Sequence, residues 1–367
     1  MSPRRRWKMG VLIAAAALLL GYGTAYVASD DIRYITRSGI EETRILTHRV
    51  PIEHLAHDST APDSLRAMAG LVLQVRQYAV TLGLDVKETY TTYSDVGRDT
   101  LLLVLTASPR DCICAVTWHY PIVGRIPYKG FFDFTKARKT AAAYAAKGYD
   151  VNLRESPAFS TLGWFNDPLL STALTSDSME LAETVFHEVA HNSLWIKGAT
   201  DFNESFAQWV GYHAAARFFQ SRGDSVLARR ALARWDDEML LGDYYDRLLG
   251  RLDSLYALHL SRAANDSGRA AIARWSTDTL QDVIGPEMRT YSIGHATERP
   301  INNAALIGVR LYRTNLHLFD AWGRSSGDQL DIAIHRLRQL LEGAEGAEAF
   351  KRMRTMLEMR PPSPDSL

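Results

Sequence analysis

The chain has 367 residues, with 42 lysines and arginines against 42 aspartates and glutamates, so its formal net charge is +0. That balance excludes the basic excess or stripe of a nucleic-acid-binding protein. Apolar residues at 46% and charged residues at 23% describe a folded chain, long enough for one large domain or two modest ones with a real core.

Residues 1–8 are a basic flank, with Arg4, Arg5, Arg6 and Lys8, and no charged residue follows from Met9 to Ser29. An apolar run of that length can cross a bilayer, which needs about 20 residues. The flank predicts a cytoplasmic N-terminus and everything after Asp30 outside. Two readings stay open. An uncleaved signal-anchor over 9–29 makes a single-pass inner-membrane protein with its body in the periplasm or outside the cell, whereas a cleaved signal peptide makes a secreted one. Gly23-Thr24-Ala25 and Tyr26-Val27-Ala28 are poor small-x-small cleavage sites, which favours the anchor.

Residues 30–58 have helical spacing at Ile32, Ile35, Ile40, Ile45 and Leu46. A second helix opens at Pro62, runs through Leu65, Met68, Leu71, Val72, Val75 and Tyr78, and stops at Gly83. β-like pieces follow at 100–109 and 114–123, short, branched or aromatic, and closed by Pro or Gly. Cys112 and Cys114 are the only cysteines, spaced awkwardly for a disulfide; a structural role in an alternating strand that buries both is expected. Residues 134–147 read as a helix stopped by Gly148, and 149–156 as a strand. "FSTLGWFNDPLL" (159–170) is a strand-like stretch that could run beside a cleft, with Trp164 and Phe165 as core or wall. From Asp177 the chain reads as helical almost throughout. Leu241, Tyr245, Leu248, Leu252 and Leu255 alternate by four and three, which predicts a long bundle helix or helical hairpin over 225–260. The last residues, 359–367, read as a disordered tail.

The chemistry sits in "TVFHEVAHNSLWIKGATDFNESFA", residues 184–207. On one helix, four residues advance about one turn, so His187 and His191 point from the same face. Two imidazoles so placed can share one zinc ion. Glu188 lies about 100° round the axis, placed to act as a general base rather than a ligand. A catalytic zinc needs a third protein ligand. Gly198 is a natural helix stop, and Thr200 or Asp201 could cap the helix that follows. Twelve residues separate His191 from Glu204, enough for a reversal that brings Glu204 opposite the histidines and leaves a fourth position for water. Blander readings exist: Glu204 could close a capping box opened by Asp201, and Asn203 could be a turn residue. Against them, Leu181, Val185, Val189 and Leu194 form an apolar side that buries this helix, and buried imidazoles need a shared partner. An oxyanion donor is sought in "INNAALIGVRLYRTNLHLF" (301–319), one expected helix that carries Tyr312 and His317; five apart, only one of them can face a cleft. Glu180, Glu183 and Asp201 are candidates to hold a substrate amine, to support the histidines, or to be solvated charges.

The stretches "VPIEHL", "YPIVGRIPYKGFFD", "STLGWFNDPLLST", "FHEVAH", "KGATDFNESFA" and "NNAAL" together resemble a bacterial family labelled predicted zinc aminopeptidases, within the zincins whose third ligand is glutamate. They spread from about residue 32 to 340. The resemblance implies that His187, His191 and Glu204 bind one zinc ion and that Glu188 is the catalytic base, and it gives no substrate. Many members of that family carry a lipidated cysteine after the signal, which is lacking here.

The expected fold is α+β and predominantly helical: zincin-like over 30–358, a small mixed sheet packed against the histidine helix, and a helical C-terminal part. The expected function is an exported, membrane-anchored zinc peptidase acting on peptides, with Glu188 as base and Tyr312 as oxyanion donor. An envelope scaffold with a structural metal and a zinc hydrolase of non-peptide substrates are the alternatives.

Overall fold

The computed structural model of the chain describes residues 3–120, 124–156, 168–293 and 300–359. Helix α1 (Pro3–Ala28) contains Trp7–Ala28, a stretch long and apolar enough to cross a membrane and not buried against the rest of the protein. Ser29 caps α2 (Asp30–Thr47) by accepting from the Ile32 N–H. Charge and packing clamp α2 to the body. Asp30 pairs with Lys136 at 2.9 Å and Asp31 with Lys129 at 3.3 Å, the Tyr34 ring meets Phe131 edge-on, and Ile45 enters a core with Leu101 and Leu102.

The helical spacing expected up to residue 58 is broken. Val50–Pro51 forms a short strand, β1, before α3 (Ile52–His57). The physical reason is Pro51, which pushes the residue before it to extended backbone. Helix α4 (Asp63–Thr81) enters through Pro62, and Gly83 beyond it takes φ 73°, a left-handed turn that suits glycine.

Strands β2 (Thr92–Ser94), β3 (Leu102–Ser108), β4 (Trp118–Tyr120), β5 (Gly124–Ile126) and β6 (Lys129–Phe131) precede α5 (Phe134–Ala146), then come β7 (Asp150–Ser156) and β8 (Leu169–Leu170). They make a small mixed sheet, β1–β2–β8, with β8 parallel to β2, and an antiparallel sheet, β6–β3–β7. β4 and β5 pair as a hairpin. Leu169 of the mixed sheet belongs to the same core as Met179, Leu181 and Val185. Alternation along β3 and β7 gives the antiparallel sheet two faces. Leu103, Leu105, Val151 and Leu153 turn toward α5, while Leu102 and Val104 turn toward Ile45 and Leu170.

The two cysteines do not lie in a strand. They sit in the loop after β3, joined to each other as a disulfide, with Cys114 exposed. Pro109 ends the strand, and the Ser108 hydroxyl faces the carbonyls of Cys112 and Cys114, each at 2.9 Å, which curls the loop back. The motif of residues 157–167, with Trp164 and Phe165, and the tail from 360 lie outside the described residues.

The helical part consists of α6 (Ser178–Ser193), α7 (Thr200–Ser221), α8 (Ser225–Tyr256), α9 (Arg262–Thr279), α10 (Asn303–Tyr312), α11 (Leu316–Arg324), α12 (Leu330–Leu340) and α13 (Glu348–Glu358). The expected long helix is a single one, α8, with no hairpin. Helix α7 is apolar nearly all round, from Phe202 and Phe206 to Trp209, Val210 and Phe218, which places it at the centre of the main core. Residues 301–319 are not one helix. They split into α10 and α11 at Asn315, whose left-handed φ of 55° turns the chain.

Candidate metal centre

Asp177 starts α6 by accepting from the N–H groups of Met179 and Glu180. Leu181, Val185 and Val189 are fully buried, as the apolar spacing requires; Leu194 lies just past the helix end and packs on the same core. That burial fixes the opposite face. The rings of His187 and His191 stand with centroids 4.9 Å apart.

The return into α7 differs from expectation. Neither Thr200 nor Asp201 caps the helix; the cap position is Ala199, with no side-chain bond. Instead Asn203, 1% exposed, reaches back to the reversal. Its Oδ1 accepts from the Ile196 N–H at 2.8 Å, and its Nδ2 donates to the Ile196 carbonyl at 2.9 Å. Asn203 is therefore the clamp of the turn, and the next residue, Glu204, is held across from the histidines. The Ser205 hydroxyl donates to the Thr314 carbonyl at 3.0 Å, tying α7 to the end of α10. Each polar residue of "NES" thus has its own task.

Asn203→Ala should remove both bonds and leave the buried Ile196 amide unpaired, while the Ile196 carbonyl keeps the Ala199 N–H at 3.3 Å, at a cost of about 1–3 kcal/mol. A urea-denaturation midpoint equal to wild type would contradict that role.

Glu204 presents one carboxylate oxygen to each histidine: Oε2 lies 3.5 Å from His187 Nε2 and Oε1 lies 3.8 Å from His191 Nε2. The ligand atoms of the three residues all fall within 4.8 Å of one another, and the group could hold a metal ion. Those separations are long for N–H···O bonds, which prefer 2.7–3.2 Å. Donors about 2.0–2.1 Å from one ion stand roughly 3.4 Å apart in a tetrahedron, so the three residues need to close only slightly to share an ion. Two neutral nitrogens and one carboxylate are also the donor chemistry that zinc favours. The residues present fit the ion.

Around this group the charges are arranged asymmetrically. Burial opposes a charged His187 ring, yet Glu204, Glu183 and Glu188 together outweigh it and push its pKa up to about 9. Burial and the neighbouring His187 drive His191 down to about 4. Burial would raise Glu204, but the histidines hold it below the usual carboxylate range. In the metal-free protein, then, a proton on His187 partly takes the cation's place. A metal must displace it. Apparent metal affinity should rise about tenfold per pH unit up to about pH 9 and level off above, with close to one proton released at pH 7–8. Calorimetry in buffers of different ionisation enthalpy measures that release; identical heats in all buffers would contradict it.

The three acids singled out near the motif have separate partners. Glu180 pairs with Arg234 at 2.9 Å. Asp201 accepts from the Phe202 N–H at the start of α7. Glu183 turns between α6 and α7, its Oε1 3.8 Å from His187 Nδ1, and burial pushes it up to about 7. Gly211 makes room for it, since a Cβ there would lie 2.7 Å from that same oxygen.

Of the two oxyanion candidates, only Tyr312 comes near the group. It ends α10 and is 40% exposed, yet desolvation of its hydroxyl and the negative charges of Glu204 and Glu188 push it up to about 12, with Arg154 acting the other way. His317 is exposed on α11, beside Asp246. Tyr312 is bracketed by the Ser205–Thr314 bond and by Arg313, which pairs with the buried Glu238 at 2.7 Å. The start of α10 is pinned as firmly. Asn302 caps it and donates to the Val151 carbonyl at 2.7 Å, while the N–H of buried Asn303 donates to Asp150 and its Nδ2 to the carbonyls of Pro109 and Cys112.

Two side chains near the group are not signalled by the motif. The Trp195 ring lies 5.4 Å from that of His191 and is 58% exposed, and Arg154 on β7 reaches Tyr312 electrostatically. Neither carries a local motif that could have singled it out.

No curated protein and no solved structure matches the chain. The model of a family described as "Putative aminopeptidase" matches residues 33–352, and the chain belongs to that family.

Proposed function

We propose that the protein is a membrane-anchored zinc peptidase that removes residues from the amino ends of peptides outside the cytoplasm. The observation that carries this reading is the Glu204 carboxylate, which offers one oxygen to His187 and the other to His191. His187, His191 and Glu204 would hold a single zinc ion, leaving one position open. When bound, zinc supplies a Lewis acid for a carbonyl oxygen and brings water toward a pKa of about 7.

The chain's own residues supply the rest. Glu188 takes the proton of the attacking water and passes it to the leaving amine. A glutamate beside the first histidine serves a hydrolase, whereas a purely structural metal has no use for it. The Tyr312 hydroxyl keeps its proton at neutral pH and donates it as a hydrogen bond to the oxyanion. Family membership supports a peptide as substrate and the amino end as the point of attack. The exposed apolar stretch Trp7–Ala28 supports anchoring, with the basic flank inside and the metal centre outside. Residues 30–358 act as one enzymatic unit, and 359–367 as a tail.

Zinc analysis together with incubation of the full chain with a mixed peptide library tests the reading. The expected result is about one zinc per chain and products shortened by single residues from the amino end. Zinc without any cleavage would favour a scaffold or a non-peptide substrate, and internal cuts would make the protein an endopeptidase.

A further inference from the structure

The strand that borders Tyr312 carries a cation that nothing in the described protein neutralises. Arg154 is exposed on β7 and makes no hydrogen bond or ion pair with any described residue. Its place follows from strand and helix geometry. Asn302 and Asn303 bind Val151 and Asp150, so α10 and β7 start side by side, and α10 packs along β7. From Asn303 to Tyr312 a helix rises about 13–14 Å. From Asp150 to Arg154 a strand advances about 13 Å. Tyr312 and Arg154 therefore come level, in agreement with the electrostatic coupling between them. Alternation on β7 puts Arg154 on the face away from Val151 and Leu153, which are the residues packed toward α5.

The acids near the group are committed elsewhere. Glu180 is neutralised by Arg234, Glu183 is turned inward onto His187, and Asp201 serves the backbone of α7. Glu204 and Glu188 also act on Tyr312, but the first belongs to the ligand group and the second is the proposed base. Among the described residues, the cation beside Tyr312 is therefore the guanidinium of Arg154. A guanidinium pairs best with a carboxylate, which it can grip with two parallel N–H···O bonds.

We propose that Arg154 is a specificity-determining residue that binds a carboxylate of the substrate, so that the preferred substrates are short peptides bearing a negative charge next to the bond that is cut. This rests on the peptidase reading above. Two sources supply the same chemistry: the C-terminal carboxylate of a very short peptide, or an aspartate or glutamate side chain.

The test is binding rather than turnover, using the full chain in detergent, zinc-loaded, with Glu188→Gln to prevent cleavage. Calorimetry compares Ala-Leu-Ala with its C-terminal amide, and Ala-Glu-Ala-amide with Ala-Gln-Ala-amide. The charged member of one pair is expected to bind about 10- to 100-fold more tightly, and the pair that discriminates names the source. Adding Arg154→Gln should bring that ratio to about one, while Arg154→Lys should keep part of it. Arg154 lies on an exposed strand position, so these changes leave the core intact. Equal affinity within both pairs while Arg154 is present overturns the proposal and leaves the peptidase reading standing. A preference that survives Arg154→Gln also overturns it. If none of the four peptides binds, both readings fall.

Discussion

Glu188→Gln is expected to lower kcat by about 10²–10⁴-fold while zinc content stays at wild-type level. The substitution keeps the shape of the side chain and removes only its ability to take a proton. Its position on α6, about 100° from His187, keeps it off the metal-binding face. The field of Glu188 is nevertheless felt at His187, Glu183 and Tyr312, so its carboxylate belongs to the same small region as the ligand group. Paired assays of zinc stoichiometry and peptide turnover measure the effect. A variant that keeps more than a tenth of the wild-type rate would remove Glu188 from the chemistry. One that loses its zinc would show that the residue holds the site together instead of using it.

Much of this site was legible in the residues, because its logic is local. Four-residue spacing put two imidazoles on one face, apolar positions at 181, 185 and 189 dictated which face was buried, and Gly198 signalled the reversal. At φ 73° Gly198 serves that turn. The distance along the chain then sufficed to bring Glu204 back. What escaped was tertiary. Asn203 carries the same local signal whether it ends in a turn or clamps one from inside the next helix, and only the packing of α7 against residues 194–199 decides between them. The division of 301–319 into two helices depends on Asn315 adopting a left-handed conformation, which nothing in its neighbours demands. It is also what separates Tyr312 from His317, one beside Glu204 and the other beside Asp246. The cysteines misled for a related reason: alternation in a short run predicts a strand, but Pro109 had already ended it. "NNAAL" could be recognised yet not understood, since its asparagines bind carbonyls more than 150 positions away.

Helix α2 adds a consequence for how the centre is presented. Its pairs with Lys129 and Lys136, and Ile45 in the core, fasten the end of the apolar helix directly to the β6–β3–β7 sheet. Ser29 alone separates α1 from α2. On the anchored reading proposed above, this joint sets how far the metal centre can stand from the membrane surface.

Glu204→Ala should cost more than any other single change at the centre apart from loss of a histidine. Zinc sites of structural type bind with about 10–16 kcal/mol in total. Divided over four ligands, that is about 2.5–4 kcal/mol each, or a weakening on the order of 10²–10³-fold. The expectation is specific to this residue because both of its oxygens face nitrogen donors, at 3.5 and 3.8 Å, and because it is the residue that brings α7 into the ligand set. The same substitution also takes away the carboxylate that, with Glu183 and Glu188, keeps His187 charged in the absence of metal. His187 in the variant should therefore titrate lower, and proton release on metal binding near pH 8 should shrink along with the affinity. These two effects separate ligation from general damage: a merely loosened fold would weaken binding without moving the histidine. Competition with a chelator gives the affinity, and NMR titration of the imidazole protons gives the shift. Unchanged zinc affinity in Glu204→Ala would mean that the third ligand is another group, and the peptidase reading would lose the carboxylate on which it stands.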